Sequence, residues 1–170
     1  MTTAARAADI RTLKVEEQQG LYTVTLDAVL DAPRESILTA IANPGRWPQL
    51  SHIITNTEDL GMLTDGRRKV RVTFEDCILI FCQTVHKSET LQSSANGHID
   101  TLTIPGQGDF GYAHEHWQVS AEGSGTRVQY QAVMLPSFYI PPLLGAYILK
   151  VKIRSLLRHV TTNLEAAANP

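Results

Sequence analysis

The chain has 170 residues, of which 43% are hydrophobic and 19% are charged, and its formal net charge is −2 at pH 7. A chain of this length can bury a core as one domain, and this composition excludes general disorder. The small negative charge gives no overall attraction to DNA or RNA, so we expect no nucleic-acid partner.

The N-terminal region is polar. Residues 1 to 19 show no hydrophobic periodicity and predict a loose tail or a late-forming edge, ahead of a domain that spans residues 20 to 168. The same region lacks the continuous apolar core of a secretory signal, so we expect a cytoplasmic protein.

The first regular elements are a strand and a short helix. Apolar and polar side chains alternate over residues 21 to 30, which is typical of a strand with one buried face. Pro33 then suits the first turn of a helix in which Ile37 and Ile41 recur at helical spacing, and Asn43-Pro44-Gly45 ends it.

A run of strands follows, bounded by turn residues. The pattern predicts strands at residues 53–63, 67–74, 90–95, 110–121 and 126–135, a hairpin tip at 75–76, and loops at 106–109 and 122–125. Residues 77 to 85 are too apolar for an inward face to be assigned, and residues 96 to 105 fit no single pattern.

Two cysteines, Cys77 and Cys82, stand five residues apart in what reads as one strand region. At that spacing their side chains would point to opposite faces of a regular strand, and a CxxC motif is absent. We therefore expect two reduced, buried thiols and no bond between them.

The last predicted element is the longest helix, which runs from Pro141-Pro142 to about residue 167. Its apolar run over residues 138 to 149 is too short to cross a bilayer, which needs about 20 residues. The order of strand, small helix, sheet and long helix favours an α+β fold, with helices gathered on one side of an antiparallel sheet.

Five sequence features in this order resemble the helix-grip fold of the START-like (SRPBCC) superfamily, which includes polyketide cyclase/dehydrase, coenzyme Q-binding and plant pollen-allergen families. They are Asp31-Ala32-Pro33-Arg34-Glu35-Ser36-Ile37, Asn43-Pro44-Gly45-Arg46-Trp47-Pro48, Trp117 in a late strand, Gly125-Thr126-Arg127-Val128 and the closing amphipathic helix. The resemblance implies a curved sheet that grips the long helix around a cavity, which relatives use for lipids, quinones, polyketides or hormones.

The first half of the terminal helix is apolar almost all round, so its side chains cannot all face one sheet. The second half carries Lys150, Arg154 and Arg158 every four residues on one face. One interpretation is a buried helix start and a solvated basic face. The other is a cavity entrance whose basic stripe attracts anionic lipid head groups. The candidate entrance residues are Pro136, Phe138, Leu143 and Tyr147.

Strand parity and the resemblance together nominate the residues that line the cavity. These candidates are Trp47, Phe74, Glu115, Trp117, Tyr130, Met134, Tyr139, Leu144 and Ile148. Glu115 is the exception among apolar side chains, because the parity that buries Trp117 also points this carboxylate inward. It could hold a ligand hydroxyl, act as a general base, or lie at a strand end with access to solvent.

The sequence gives no sign of classical catalysis. His114 and His116 share the outer face of a strand, but no third ligand is identifiable, so we expect no metal site. GxSxG, a phosphate-binding glycine loop and a dinucleotide fingerprint are all absent, so no catalytic residue and no cofactor are predicted.

Three function classes remain. The leading hypothesis is binding or transport of a hydrophobic or amphipathic small molecule, such as a lipid, quinone or polyketide-like compound. The resemblance also allows a polyketide cyclase or aromatase, for which Glu115 and Tyr130 would be the first residues to mutate. A third class is a toxin-like module that contacts ribosomes or other proteins through the basic stripe.

Overall fold

A computed structural model describes residues 8 to 168, which form eight β strands, three α helices and one 3-10 turn. The bounds in chain order are β1 (Asp9–Gln18), β2 (Leu21–Leu30), α1 (Arg34–Ala42), the 3-10 turn (Pro44–Arg46), α2 (Trp47–Leu50), β3 (Ile54–Met62), β4 (Arg68–Ile78), β5 (Phe81–Ser93), β6 (His98–Gly108), β7 (Phe110–Glu122), β8 (Gly125–Pro136) and α3 (Gly145–Ala168).

The strands form one antiparallel sheet in the order β1-β2-β8-β7-β6-β5-β4-β3. From β3 onward, each strand pairs with the next strand along the chain. The segment from α1 to α2 carries the chain from β2 to the far edge of the sheet. The predicted α+β helix-grip architecture is confirmed, with a curved sheet, a long C-terminal helix and short helices after β2.

Alternation of side chains explains the buried face of the sheet. In β2, Tyr22, Val24 and Leu26 are buried, whereas Thr23 and Thr25 between them are exposed. This is the period-2 pattern of a strand with one face on the core, where each large aliphatic side chain contributes about 1.5–3 kcal/mol of burial free energy.

The core has two clusters. One lies between α1, the sheet and the end of α3, where Ile37, Ile99 and Leu164 are almost completely buried. The other lies between β2, β8 and Leu157 of α3. Both clusters therefore depend on the second half of α3.

The sheet begins before residue 20. Residues 9 to 18 form β1, which pairs along its length with β2 and lies at one edge of the sheet. The first seven residues of the predicted N-terminal tail lie outside the described residues.

The hairpin between β4 and β5 turns later than predicted. Strand β4 continues through Glu75-Asp76, and the chain reverses at Leu79-Ile80. Cys77 and Cys82 consequently lie directly opposite each other and form a disulfide. The prediction of two reduced thiols is wrong, because the parity argument required one continuous strand through both cysteines.

Other boundaries also differ from prediction. The predicted loop at residues 106 to 109 is wrong over its first three residues, which extend β6 with positive φ at Gly106 and Gly108. Helix α3 begins at Gly145, after a turn in which the Gly145 amide donates to the Pro141 carbonyl at 3.1 Å. Among the residues the structure describes, no helix is long and apolar enough to cross a membrane.

Candidate ligand-binding cavity

A partly open cavity of about 240 Å³ lies between the inner face of the sheet and α3. Strands β4 to β8 form its floor, and α3 covers it. Inward-facing side chains of alternate strand positions form the floor, among them Phe74, Val85, Lys87, Glu89, Glu115, Trp117, Tyr130 and Met134.

The cover of the cavity is apolar. Helix α3 presents one side chain every three or four residues, as expected for a helix face. The inward residues are Leu149, Ile153, Leu156, Leu157 and Val160. Trp47 and Leu50 of α2 close one end. A ligand between these walls would lose most of its contact with water.

A buried polar cluster interrupts this apolar lining. The Lys87 cluster consists of Lys87, Glu89, Glu115 and Tyr130. The Lys87 ammonium contacts the Glu115 carboxylate and lies 2.8 Å from an oxygen of Glu89. The Tyr130 hydroxyl donates to the other Glu115 oxygen at 3.1 Å. Lys87 and Glu89 are only 6% and 1% exposed, so the cluster is almost shielded from solvent.

The pKa values within the Lys87 cluster follow from burial and charge. Burial alone would lower the pKa of Lys87, but the two carboxylates outweigh this effect and hold it above its ordinary value. Burial raises the pKa of Glu89 to about 7, despite the opposing effect of Lys87. Burial and the charge of Glu115 raise the pKa of Tyr130 well above its ordinary value. At neutral pH the ammonium is charged, the phenol is neutral and Glu89 is near its titration midpoint.

A second set of polar contacts lies at a partly solvent-exposed part of the cavity wall. Lys152 of α3 pairs with Asp76 of β4 at 2.8 and 2.9 Å, and both side chains are about one-third exposed. The Gln83 amide donates to the Tyr139 carbonyl at 2.6 Å, and the rings of Phe81 and Tyr139 lie 5.3 Å apart. These contacts join the β4–β5 hairpin to the segment before α3.

Most of the predicted lining residues do lie at the cavity wall, and the others lie outside it. Trp47, Phe74, Glu115, Trp117, Tyr130 and Met134 line the cavity, as do the predicted entrance residues Pro136 and Phe138. Tyr139, Leu144, Ile148, Leu143 and Tyr147 are not part of the lining. For all the predicted residues, whether at the cavity wall or outside it, a ligand-binding or entrance role stays a prediction.

The difference on α3 follows from where the helix begins and which face it turns inward. Leu149, Ile153 and Leu157 follow one another at four-residue spacing on the inward face. Ile148 lies about 100° around the helix from Leu149, and Leu144 precedes the first helical turn. The apolar run alone did not indicate which of its residues faced the sheet.

The sequence analysis missed Lys87 and Glu89, which lie on β5. Their positions alternate with exposed His86 and buried Ser88, while Val85 and Leu91 share their parity. Extending the parity of these two apolar residues through the strand would have placed both charged side chains inward.

The predicted basic stripe lies beside β1. Lys150 and Arg154 are half-buried, and the Arg154 guanidinium donates to the Val15 carbonyl at 3.3 Å. Arg158 is exposed. Arg154 therefore helps to hold α3 against the edge strand, whatever else the stripe does.

Exposed apolar side chains gather next to the cavity opening. The mouth patch is defined here as Leu79, Ile80 and Phe81 of the β4–β5 hairpin with Leu143, Leu144 and Tyr147 around the start of α3. Ile80 is 87% exposed and Leu143 is 98% exposed. Neighbouring residues Ile78 and Phe138 line the cavity, so the mouth patch continues the cavity wall onto the surface.

The histidines of β7 lie elsewhere. His114 and His116 both contact Asp100, at 3.3 and 2.9 Å, on partly exposed positions outside the cavity. Within residues 8 to 168, no group of three or more His, Cys, Asp or Glu side chains could hold a metal ion.

Known structures of similar shape share this architecture. No family model and no curated protein matches the chain. A START superfamily protein from Mycobacterium smegmatis has 19% identity and a TM-score of 0.65, over 86% of this chain and 96% of its own. The Zhui aromatase/cyclase from Streptomyces sp. R1128 has 14% identity and a TM-score of 0.65, over 86% and 93%. A STAR-related lipid transfer protein from Xanthomonas axonopodis has 14% identity and a TM-score of 0.60, over 89% and 98%.

Proposed function

We propose that the protein binds an apolar or amphipathic small molecule in the cavity between the sheet and α3, and that it carries or senses this molecule without changing it chemically. The observation that carries the proposal is an apolar, partly open cavity of about 240 Å³ with one buried polar cluster in its wall. Small-molecule sites are typically apolar concave spaces with a few placed polar groups. The similar structures described as a lipid transfer protein and as an aromatase/cyclase support this class of ligand.

Burial of apolar ligand surface would supply most of the affinity, at about 25 cal/mol per Å². The aromatic rings of Trp117 and Tyr130, whose centroids lie 4.3 Å apart, would contact the body of the ligand. A lipid, a quinone or a polyketide-like compound would satisfy these contacts, provided that it fits the volume.

The mouth patch would bring the cavity opening to an anionic membrane surface. Leu79, Ile80 and Leu143 project apolar side chains that have no partner within the sheet, and large exposed apolar patches mark interaction sites. Lys150 and Arg158 of α3 would add attraction to anionic head groups, about 1 kcal/mol for each cation near the surface. A ligand could then pass between membrane and cavity without crossing water.

The binding proposal is tested by filling the cavity. Ile153→Trp places a larger side chain on the inward face of α3, and Leu60→Trp makes the same type of change on β3, where Leu60 is 41% exposed and lies outside the lining. Affinity for a panel of fluorescent lipid and quinone analogues should fall at least about tenfold in Ile153→Trp, a loss of about 1.4 kcal/mol. Leu60→Trp should bind as the wild type does.

Two outcomes would contradict the proposal: no saturable binding by delipidated wild-type protein, or equal affinities for all three proteins. Native mass spectrometry of gently purified protein would identify a co-purified ligand. In a separate incubation with a linear poly-β-ketone substrate analogue, a cyclised product formed with loss of water would favour the aromatase/cyclase alternative, for which Glu115 and Tyr130 would be the candidate acid–base pair.

A further inference from the structure

The composition of the Lys87 cluster restricts the class of ligand further than the apolar cavity lining does. The cluster contains one cation and two carboxylates, and Lys87 and Glu89 of β5 face Glu115 of β7 across the sheet. With both carboxylates ionised, its net charge is −1. With Glu89 protonated, its net charge is 0. The net charge of the cluster is therefore positive only when both carboxylates are protonated.

The positive charge of the cluster, on Lys87, is already paired with carboxylates of the protein. An ammonium group has three N–H donors, and the Lys87 ammonium faces two carboxylates. Its remaining side is flanked by the rings of Phe74 and Phe110, each with its centroid 5.9 Å from the nitrogen. A ligand carboxylate would have to displace one of the existing carboxylates, and it would add a negative charge in a site of low dielectric.

The Lys87 cluster has more hydrogen-bond acceptors than donors. The two carboxylates present four oxygens, and the Tyr130 oxygen keeps its lone pairs because its proton is donated to Glu115. Glu115 is the most accessible acid of the cluster, with its side chain 16% exposed against 1% for Glu89. A ligand group that donates a hydrogen bond without carrying charge fits this arrangement.

We propose that the cavity selects uncharged amphipathic ligands that present a hydroxyl group to Glu115 and Tyr130, and that it rejects ligands whose polar end is a carboxylate. This inference rests on the proposed function, since it names the ligand class of the same cavity. Alcohols and phenols with an apolar body are accepted, whereas fatty acids of the same size are excluded.

The test compares naphthalene probes that differ only in the polar group. The four probes are 2-ethylnaphthalene, 2-naphthalenemethanol, 2-naphthoate and 2-naphthylmethylammonium, and their affinities are measured by fluorescence competition or calorimetry at pH 8. The alcohol should bind about tenfold more tightly than the ethyl analogue, because the free energy of a hydrogen bond to a charged group corresponds to about a tenfold change in affinity. It should also bind at least about tenfold more tightly than the carboxylate.

Substitution identifies which residues discriminate. Glu115→Gln removes one negative charge while conserving size, so the affinity ratio of alcohol to carboxylate should fall toward one. Tyr130→Phe removes only the hydroxyl and should lower the ratio of alcohol to ethyl analogue, which keeps the test decisive if Glu115→Gln fails to fold. Glu58→Gln on β3, whose side chain is 44% exposed, is the matched control and should leave every ratio unchanged.

The outcomes separate this inference from the proposed function. If 2-ethylnaphthalene binds but the alcohol has no advantage, or if the carboxylate binds as tightly as the alcohol, the inference is overturned while cavity binding stands. If 2-naphthylmethylammonium binds most tightly, the cluster is a cation site and the inference is likewise overturned. If none of the probes binds, both the inference and the proposed cavity function are contradicted.

Discussion

At the scale of single residues, Glu89 is the most unusual side chain in the cavity wall. It is 1% exposed and lies beside Lys87, with Glu115 adding a second negative charge nearby. Desolvation disfavours the charged carboxylate more than the ammonium stabilises it, so its pKa rises from 4.5 to about 7. A buried ion pair of this kind is weak evidence for a gain in stability, because the cost of removing both charges from water is large.

This pKa predicts how stability depends on pH. Between about pH 4.5 and pH 7 the folded protein holds a proton on Glu89 that the unfolded chain releases. The contribution of Glu89 to the free energy of unfolding is therefore complete below pH 4.5 and is lost as the pH rises through 7. The Glu89→Gln variant has no ionisable side chain at this position. The free energy of unfolding of the wild type should fall relative to this variant by up to about 1.4 kcal/mol per pH unit.

Urea unfolding of both proteins at pH 5, 6, 7 and 8 measures this difference. Glu58→Gln, at an exposed position on β3, should parallel the wild type over the whole range. Parallel curves for Glu89→Gln and the wild type would show that Glu89 ionises at an ordinary pKa, and the description of the Lys87 cluster would then be wrong.

At the scale of elements, the two segments of the mouth patch each contain a leucine with an unfavourable backbone conformation. Leu79 has φ of 58° and Leu143 has φ of 69°. A left-handed conformation costs an L-residue with a Cβ about 1–2 kcal/mol. Such strain is common where function requires it. Both strained leucines are also exposed, so packing in the core does not account for either conformation.

Leu143→Asn should therefore change stability and membrane binding in opposite directions. Asparagine tolerates the left-handed region, so the free energy of unfolding should rise by about 0.5–1 kcal/mol. Binding to phosphatidylcholine vesicles that contain phosphatidylserine should weaken at least about tenfold, because a buried leucine contributes about 1.5–3 kcal/mol. Vesicle co-sedimentation and urea unfolding measure the two effects.

Leu60→Asn is the matched control, since Leu60 is exposed on β3 away from the mouth patch. It should leave vesicle binding unchanged. If Leu143→Asn binds vesicles as the wild type does, or if the wild type does not bind them at all, the membrane role of the mouth patch is disproved.

The elements also show what the sequence could predict. Alternation located β2, β7 and β8 to within about one residue, because each has one apolar face and one polar face. Alternation failed in the β4–β5 hairpin, where apolar residues continue through the turn at Leu79-Ile80. Without a polar or glycine turn residue to mark the reversal, the pairing of Cys77 with Cys82 had no signal in the sequence.

The Cys77–Cys82 disulfide is relevant to the predicted cytoplasmic location. It closes the tip of the hairpin, with the four residues 78 to 81 between Cys77 and Cys82. Cytosolic thiols are normally kept reduced, whereas disulfides persist in oxidising compartments. The cytoplasmic location stays a prediction, and the redox state of the purified protein is directly relevant to it.

At the scale of the whole molecule, α3 is more deeply buried in its second half than in its first, although Lys152 and Arg154 also hold the first half through polar contacts. Near its C-terminus, the Asp31 amide donates to the Glu165 carboxylate at 2.6 Å, and the Asn163 amide donates to the Leu50 carbonyl at 2.9 Å. Leu164 is 1% exposed. In the first half of the helix, Tyr147 is 61% exposed. The order of elements in the sequence predicted the long helix, but these anchoring contacts join residues more than 100 positions apart and could not be predicted from it.

This asymmetry predicts where the molecule opens. Segments with few buried contacts unfold locally at lower free energy than the core. Backbone amides of residues 146 to 152 should therefore exchange with deuterium faster than those of residues 157 to 165. A ligand in the cavity would contact the inward side chain of Leu149, so saturation with 2-naphthalenemethanol should slow exchange in the first segment.

Hydrogen-exchange mass spectrometry on the complete chain measures both segments in one experiment. The second segment should change less on saturation, because the anchoring contacts already protect it, although Leu157 and Val160 within it also line the cavity. Equal exchange along the whole of α3 would mean that the helix is uniformly held, and ligand entry would then require another opening. Slower exchange on saturation only in residues 157 to 165 would place the ligand at the anchored end. The proposed route past the mouth patch would then be wrong.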